Sequence, residues 1–257
     1  MLQLEGKRVV VTGGASGIGA GVVKAMAEAG AAVVSMDINA DGAQAVATEV
    51  SAMSPHPVAV VPCDVTNQAV VNAAFDRAVA ELGGLDCLAM VAGNEGQKAA
   101  EDVTEEDIDW LFDVHVKGTM FTNAAAYRVM REHGGSIVNT SSVAGVSGYP
   151  NSPVYSSAKA AILGYTRTVA RDWGPSNVRV NAICPAAVTP QSQAHFDRLE
   201  PHVRAKLVAD YKAWIPLGGW MGTVAQSAAV YVFLASDASS FLTGQMIAAN
   251  GGWTMPR

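Results

Sequence analysis

Residues 9–21 read VVVTGGASGIGAG, a run of β-branched residues that passes through a glycine-rich turn into a helical pattern. Gly13, Gly17 and Gly19 have the spacing G-x-x-x-G-x-G rather than the commoner G-x-G-x-x-G. Glycines at a strand-to-helix turn allow a tight bend and let the backbone approach a pyrophosphate at the helix N-terminus, where the Ser16 hydroxyl is a further donor. This context predicts the start of a dinucleotide-binding unit; the alternative is a purely structural turn.

The alternation of strand and helix continues along the chain. Short apolar runs are separated by longer stretches that have apolar residues at helical spacing and glycines near their ends. The runs predicted as strands are 8–12, 31–37, 58–63, 86–92, 136–140, 178–184 and 246–249. Apolar strands separated by helices indicate a parallel sheet covered on both faces, so the predicted fold class is α/β, doubly wound and of the Rossmann type.

Residues 189–219 interrupt this alternation, because they have helical periodicity but no strand partner. An insertion beyond the carboxyl end of a strand lies over the binding crevice of such a fold. We interpret the segment as a substrate lid; the alternative is a surface or subunit-packing pair of helices. Its candidate substrate contacts are His195, Phe196, Tyr211 and Trp214, and aromatic residues of a lid also often belong to its core.

Asp37 ends the second predicted strand, 18 residues after Gly19. An acidic side chain there accepts hydrogen bonds from the adenosine ribose hydroxyls and repels the additional phosphate of NADP. No Lys or Arg follows closely, so the predicted cofactor is NAD; the alternative is a solvated loop aspartate. Asp64 ends the third predicted strand and is expected near the adenine, with a helix cap as the alternative.

Tyr155 and Lys159 lie one helical turn apart. A phenol has an unperturbed pKa of about 10, and a nearby ammonium lowers it by favouring phenolate. The pair therefore suits a general acid/base that takes a hydroxyl proton as a hydride leaves the same carbon. Ser142, at the end of another predicted strand, is placed to steady the substrate oxygen at the carboxyl edge of the sheet. A Tyr-x-x-x-Lys pair alone is more often a surface pair.

Together these residues resemble the short-chain dehydrogenase/reductase family over essentially the whole chain. TGGASGIG (12–19) resembles its cofactor loop, SIVNTSSVAG (136–145) its catalytic-serine strand and YSSAK (155–159) its tyrosine–lysine motif. NAICPAAVTP (181–190) is similar to its N-x-x-x-P-G segment, and the C-terminal third is similar as well.

The resemblance implies one Rossmann-type domain over residues 1–257 with a seven-stranded parallel sheet. It also implies nicotinamide-dependent interconversion of a secondary alcohol and a ketone, and a homotetramer that pairs the helices around 104–131 and 153–173. The implied catalytic residues are Ser142, Tyr155, Lys159 and His115. The implied cofactor-binding residues are Gly13, Ser16, Gly17, Ile18, Gly19, Asp37, Ile38, Asp64, Val65, Val91, Ala92, Gly93, Tyr155, Lys159, Pro185, Val188 and Thr189. Candidate substrate contacts are Ser142, Ala144, Tyr149, Tyr155, Asn94, Gln97 and Ala187, with Glu95 beside them.

Three positions depart from the family pattern. Val91 replaces an Asn whose side chain braces the sheet, although the cofactor contact there is largely backbone. His115 stands where an Asn is expected to hold a water on a proton relay to the lysine. Histidine also donates and accepts hydrogen bonds, so it either supports turnover or marks a weak or specialised enzyme, and its charge is expected to depress activity at low pH. Ala186 replaces a Gly and slightly narrows the nicotinamide pocket.

Composition narrows the function classes. The chain has 257 residues and a formal net charge of −6, with no Lys/Arg-rich run, so no nucleic-acid partner is expected. No apolar stretch is long enough to span a membrane, no signal-peptide pattern opens the chain, and no cluster has metal-ligand spacing. Cys63, Cys87 and Cys184 are predicted as buried free thiols of a reducing compartment, which favours a cytoplasmic location.

The leading hypothesis is an NAD-dependent secondary-alcohol dehydrogenase or ketone reductase acting on a small molecule. One alternative is a 3-oxoacyl carrier-protein reductase, against which Asp37 argues. Arg128 and Arg131 would face an acidic carrier in that case; otherwise they belong to a solvated helix face. The other alternative is a cofactor-binding protein with weak or vestigial activity, which Val91 and His115 suggest.

Overall fold

A computed structural model describes residues 3–255. The strands are β1 (Arg8–Thr12), β2 (Ala32–Asp37), β3 (Ala59–Pro62), β4 (Cys87–Met90), β5 (Gly135–Thr140), β6 (Val178–Ile183), β7 (Ala187–Val188), β8 (Gly222–Thr223) and β9 (Met246–Ile247). The helices are α1 (Gly17–Glu28), α2 (Ala40–Ser51), α3 (Gln68–Leu82), α4 (Glu105–Phe112), α5 (Gly118–Met130), α6 (Ala144–Ser147), α7 (Pro153–Trp173), α8 (Pro190–Arg198), α9 (Pro201–Trp214) and α10 (Val224–Ala235). Short 3₁₀ turns occupy Ala100–Asp102, Gly174–Ser176 and Asp237–Ser239.

Seven strands form one parallel sheet in the order β3-β2-β1-β4-β5-β6-β9. Each of the seven predicted runs contributes one strand, which confirms the predicted fold class. The chain moves outward from β1 through β2 to β3 and then returns to β4 on the other side of β1. This reversal is a topological switch point, and in open α/β sheets the binding crevice lies there, beyond the carboxyl ends of the strands.

Both faces of the sheet are buried, because successive side chains of a strand point to opposite faces. In β1, Val9 and Val11 pack on the side of α1 and α10, and Val10 packs on the other side with α3, α5 and α7. All three valines are fully buried. This accounts for strands that are apolar at every position rather than at alternate positions.

The long helix predicted around 104–131 is interrupted. A capping box formed by Thr104 and Asp107 begins α4, and a π-helical turn, Asp113–Lys117, separates α4 from α5. In this turn the Gly118 amide donates to the Asp113 carbonyl, five residues back. One extra residue per turn rotates the following side chains, and such turns are common at functional sites. His115 lies in the middle of it.

The segment 189–219 contains α8 and α9. It is bracketed by a small two-stranded parallel sheet, β7 with β8, in which Ala187 lies opposite Gly222 and Val188 opposite Thr223. The sequence did not predict this pair, because two residues are too few to show a strand period. The small sheet fixes both ends of the segment beyond the carboxyl end of β6.

The cysteines Cys63, Cys87 and Cys184 are free and buried, as predicted. Burial raises the pKa of Cys63 to about 11 and that of Cys87 to about 12. Across residues 3–255, no helix combines the length and apolarity needed to cross a membrane. In the same range, no group of three or more His, Cys, Asp or Glu residues could hold a metal ion.

Candidate active site

The glycine turn between β1 and α1 forms a cradle that side chains would fill. Gly13 has a φ of +72°, and a Cβ there would lie 2.8 Å from the backbone of Ala92. A Cβ on Gly19 would collide with the Gly13 carbonyl oxygen. Ser16 precedes α1 as its N-cap but makes no capping bond with its side chain, so its hydroxyl is available to a ligand. The cradle, open at a helix N-terminus, fits the pyrophosphate of a dinucleotide.

Asp37 is fixed beside this cradle. Its carboxylate accepts hydrogen bonds from the Ala15 amide and the Asn39 amide, each at 2.9 Å. Asp64, at the end of β3, accepts from the Thr66 amide at 2.9 Å, and Asn67 rather than Asp64 caps α3. The carboxylate of Asp37 is thus held at the end of β2, where a ribose bound across the switch point would meet it.

Further predicted cofactor residues lie around the same edge. Thr189 caps α8, and its methyl group lies 3.5 Å from the position a Cβ would take on Gly17, so the start of the lid segment reaches the glycine turn. Ile38 is 74% exposed, and Val65 is buried beneath Gly118. Pro185 and Val188 are half-buried after β6, as are Val91 and Ala92 after β4.

The Thr12 hydroxyl braces the loop that carries Val91. Its oxygen accepts hydrogen bonds from the Val91 and Ala92 amides at 3.1 and 3.2 Å. These bonds tie the end of β1 to the loop that follows β4. They involve only the backbone at position 91, so the loss of an Asn side chain there stays a prediction.

Lys159 lies under the end of β5 and is almost fully buried. Its ammonium donates to the Thr140 carbonyl at 2.9 Å and lies 5.6 Å from the centroid of the Tyr155 ring. The Ser141 hydroxyl donates to the Lys159 carbonyl at 2.8 Å, which locks α7 onto the end of β5. The structure thus brings the predicted phenol and ammonium together at the carboxyl edge.

Burial controls the proton affinities of this pair. It raises the pKa of Tyr155 to about 12, with a further increase from the negative charge of Glu95 and a partial decrease from a hydrogen bond to the Ser142 side chain. It lowers the pKa of Lys159 to about 7. The expectation that Lys159 lowers the pKa of Tyr155 is wrong for the polypeptide alone, because desolvation of the phenol outweighs the attraction of an ammonium held by the Thr140 carbonyl.

Ser142 lies half-buried between Tyr155 and the start of α6. Its oxygen accepts a hydrogen bond from the Ala144 amide at 3.1 Å. Ala144 is itself only 5% exposed, so this predicted substrate contact contributes through its backbone, by orienting the serine. The Ser142 hydroxyl proton lies beside the Tyr155 oxygen and can donate to it or to a substrate oxygen bound next to it.

His115 lies against Tyr155 and is 1% exposed. The two rings are 5.4 Å apart and nearly perpendicular. The Nε2 atom donates to the Asn94 carbonyl at 2.8 Å, so Nδ1 carries the lone pair. Within residues 3–255, Nδ1 has no hydrogen-bond partner. The ring fills the space left by Gly93, where a Cβ would lie 2.5 Å from Cε1.

The imidazole of His115 is neutral. Burial, followed by the charge of Lys159, lowers the pKa of His115 to about 3. A pKa this low moves any effect of its charge on activity to more acidic conditions than an ordinary imidazole would give. A neutral ring with a buried, unpartnered acceptor nitrogen beside Tyr155 and Lys159 is suited to hold a water molecule there.

Aromatic side chains close the mouth of the crevice. Tyr211 of α9 is buried, and its hydroxyl lies 3.5 Å from that of Tyr149. Both rings pack edge-on against Trp253, and Trp214 stacks on Trp253 as well. Of the other predicted contacts, Asn94 and Gln97 are exposed in the loop after β4, Ala187 is half-buried in β7, Phe196 packs on Trp220, and His195 is exposed.

Sequence reasoning missed the groups that hold this site in place: Thr12, Thr140, Ser141 and Trp253. They act through backbone bonds or through packing of distant segments, which leave no local pattern. The threonine and serines at the end of the β5 motif were the available signal. Arg128, considered as a carrier contact, donates instead to Asn72 on α3 at 2.6 Å.

Comparison with known proteins agrees with the fold. A family model described as Enoyl-(Acyl carrier protein) reductase matches residues 13–254. A protein of Rhizobium meliloti named probable galactose dehydrogenase GalD is 37% identical over 97% of this chain and 96% of its own length. The 2,5-dichloro-2,5-cyclohexadiene-1,4-diol dehydrogenase of Sphingobium indicum is 38% identical over 99% of each chain. A solved short-chain type dehydrogenase/reductase of Mycobacterium ulcerans, 32% identical, superposes with a TM-score of 0.92 over 98% of this chain and 91% of that one.

Proposed function

The chain belongs to the short-chain dehydrogenase/reductase family and is an oxidoreductase acting on alcohols. We propose that it interconverts a secondary alcohol and a ketone with NAD(H) and that Tyr155 is the acid and base. The observation that carries the proposal is the convergence of Tyr155, Lys159 and Ser142 at the carboxyl edge of the sheet. The glycine cradle opens at the same edge.

The residues around the glycine turn fit a nicotinamide dinucleotide. The cradle of Gly13, Gly17 and Gly19 would hold its pyrophosphate, and Asp37 would accept hydrogen bonds from its adenosine ribose. When bound, the oxidised nicotinamide accepts the hydride and adds a positive charge that favours the phenolate of Tyr155. Asp37 supports NAD over NADP, since a carboxylate repels a ribose phosphate.

The chain's own residues handle the proton. In oxidation Tyr155 acts as the phenolate, after its own proton has passed to Lys159 and from there toward solvent. The substrate O–H bond then breaks, its proton passes to the Tyr155 oxygen, and the O–H electron pair forms the second carbon–oxygen bond as the hydride leaves the same carbon. Ser142 donates to the substrate oxygen. Lys159 retains N–H donors beyond the one given to Thr140, and these would hold a ribose hydroxyl. A water on Nδ1 of His115 would carry the proton onward from Lys159 toward solvent.

The relatives point to the kind of substrate. Two of them are named for the compounds they oxidise, galactose and a dichlorinated cyclohexadiene diol, and both compounds are rings with more than one hydroxyl group. The half-buried aromatic walls of the crevice suit the apolar face of a ring. A small, ring-shaped polyol or the corresponding ketone is therefore the favoured substrate.

A second candidate is a 3-oxoacyl carrier-protein reductase, which the description of the matching family model favours. Asp37 argues for NAD, whereas such reductases use mostly NADPH. Arg128, which would have faced an acidic carrier, is engaged by Asn72 and lies 3.9 Å from Asp76. The small-molecule reading is preferred on both counts.

The proposal also includes a homotetrameric assembly and a cytoplasmic location. Exposed apolar side chains on α4 and α5, including Ile108, Trp110 and Met120, support pairing of these helices in a homotetramer. Three buried, free thiols support a reducing setting such as the cytoplasm.

The test is NADH formation over a panel of secondary alcohols, with wild type beside Tyr155→Phe. We expect wild-type turnover on at least one alcohol and a loss of about 10²-fold or more in the variant, in the range for general acid–base catalysis. Titration of intrinsic tryptophan fluorescence with NAD and NADP checks that the variant still binds cofactor and that NAD binds more tightly. Tight NAD binding with no turnover in wild type would favour the vestigial alternative, and equal dissociation constants would refute the assignment of Asp37.

A further inference from the structure

The loop between β4 and α4 is fixed at two points across the mouth of the crevice. The Asn94 carbonyl accepts from His115 at 2.8 Å, and the Lys98 amide donates to the Asn151 carbonyl at 2.6 Å. Between these anchors, Gly96 packs against Leu111, where a Cβ would lie 2.8 Å from a methyl carbon. The exposed Glu95 is therefore carried on a short, restrained span beside the catalytic residues.

A pair of phenols belongs to the segments next to this span, since Tyr149 precedes by two residues the Asn151 carbonyl that anchors Lys98. Tyr149 follows the catalytic serine strand, Tyr211 comes from the lid helix α9, and their hydroxyl oxygens lie 3.5 Å apart. Trp253 packs edge-on against both rings and restricts their orientation. The spacing is at the limit of a hydrogen bond, so the two hydroxyls keep capacity for a third group.

The carboxylate of Glu95 has an electrostatic effect on two tyrosines of the crevice. Its negative charge raises the pKa of Tyr155 and of Tyr211, which places it within electrostatic reach of the acid/base and of the lid phenol. No salt bridge within residues 3–255 includes Glu95. Its oxygens are thus acceptors without a cationic partner, next to phenols that can donate.

We propose that Glu95, with the paired hydroxyls of Tyr149 and Tyr211, binds a second hydroxyl group of the substrate, next to the carbon that is oxidised. This inference rests on the proposed function and specifies its substrate class as vicinal diols and sugars. A hydroxyl both donates and accepts, so it can donate to Glu95 while accepting from a phenol. An alcohol without this group forgoes a hydrogen bond to a charged acceptor, which is the stronger kind of hydrogen bond.

Other ligand chemistries fit this set less well. An acidic group would meet the like charge of Glu95. An ammonium group would pair with Glu95, but it would also approach the buried ammonium of Lys159, 5.6 Å from the Tyr155 ring. A neutral hydroxyl avoids both repulsions.

The experiment measures kcat/KM with NAD for alcohols that differ by one hydroxyl. The pairs are trans-1,2-cyclohexanediol with cyclohexanol, and D-galactose with 2-deoxy-D-galactose. Each pair gives a selectivity ratio, hydroxylated over deoxygenated. We expect a ratio of at least about tenfold in wild type, the least expected from one hydrogen bond to a charged group, and a fall toward one in Glu95→Ala and Glu95→Gln. Glu81→Gln, at an exposed glutamate of α3, is the matched control and should keep the wild-type ratio.

The outcomes separate this inference from the function on which it rests. A ratio unchanged by either Glu95 variant would overturn it, and so would turnover confined to alcohols with a single hydroxyl. A common loss on both members of a pair, with a shifted pH–rate profile, would instead assign Glu95 an electrostatic effect on Tyr155. Preference for trans-2-aminocyclohexanol over the diol would identify a cation site. If no alcohol gives NADH, the proposed function fails first and the subsite with it.

Discussion

At the scale of single residues, burial governs the chemistry of this site. The ionised forms of Tyr155 and Lys159 are both disfavoured by desolvation, which moves their pKa values in opposite directions. The values of about 12 and about 7 mean that the resting pair is a neutral phenol beside an amine that titrates near neutrality. Transfer of the Tyr155 proton to Lys159 is therefore uphill in the polypeptide alone, and the positive charge of a bound oxidised nicotinamide would favour the phenolate.

His115 should serve as a water-binding acceptor, and its replacement tests this directly. His115→Phe keeps a ring of similar shape but removes Nδ1, so we expect kcat to fall at least about tenfold while the dissociation constant for NAD stays within threefold. His115→Asn restores a polar group and should recover most of the turnover. Equal kcat values in wild type and His115→Phe would show that the position is only structural.

The same residue predicts a pH dependence of stability. Its pKa is lowered from 6.5 to about 3 in the folded chain, so between these values the unfolded state binds one more proton. The free energy of unfolding therefore decreases as the pH falls from about 6.5 toward 3, and part of this decrease comes from His115. Urea unfolding at pH 7 and pH 4.5 should show a smaller loss for His115→Asn than for wild type. Identical losses would contradict a buried neutral imidazole.

At the scale of secondary-structure elements, the site depends on bonds between strand ends. Thr12 at the end of β1 accepts from the two amides after β4, and Thr140 at the end of β5 donates to the Met90 carbonyl at 2.6 Å. The Thr140 hydroxyl also lies 2.7 Å from that of Tyr231 on α10. These bonds hold three neighbouring strand ends in register at the edge where the predicted catalytic residues lie.

Thr12→Val tests how much the hydrogen bonds to the Thr12 hydroxyl contribute to stability. The variant keeps the shape of the side chain but leaves the Val91 and Ala92 amides without their acceptor, at a cost of about 1–3 kcal/mol for each one that water cannot reach. We expect the free energy of unfolding in urea to fall by about that amount and NAD to bind more weakly. Thr12→Ser retains the hydroxyl and is the matched control; a loss in Thr12→Ser equal to that in Thr12→Val would point to methyl packing instead.

Elements with a long, regular pattern could be predicted from the sequence, and those set by a single contact could not. The runs at 8–12 and 178–184 are rich in valine and other apolar residues, and they form β1 and β6 almost to the residue. The π turn at Asp113–Lys117 is invisible to a helical period, because it inserts one residue into an otherwise continuous pattern. Likewise, the tyrosine–lysine motif predicted which side chains meet, but their pKa values depend on how deeply the whole fold buries them.

At the scale of the whole molecule, the switch point in strand order explains why distant segments converge. The glycine turn follows β1, the loop with Glu95 follows β4, Ser142 follows β5 and the lid segment follows β6. Parallel strands release all four at one edge of the sheet. The helix α4, which leads into the turn that carries His115, leaves apolar side chains exposed.

These exposed side chains predict the last property, a homotetramer. Trp110 is 48% exposed and Ile108 43% exposed on α4, which a chain with no partner would leave in water. Light scattering coupled to size-exclusion chromatography should give about four times the protomer mass of 26.6 kDa. Trp110→Glu places a charge in the expected interface and should reduce the mass to that of a dimer or monomer, whereas Met53→Glu, at an exposed position after α2, should not. A wild-type monomer, or a tetramer unaffected by Trp110→Glu, would refute the role of this face. Because α4 continues into the turn that carries His115, loss of the tetramer should also lower turnover.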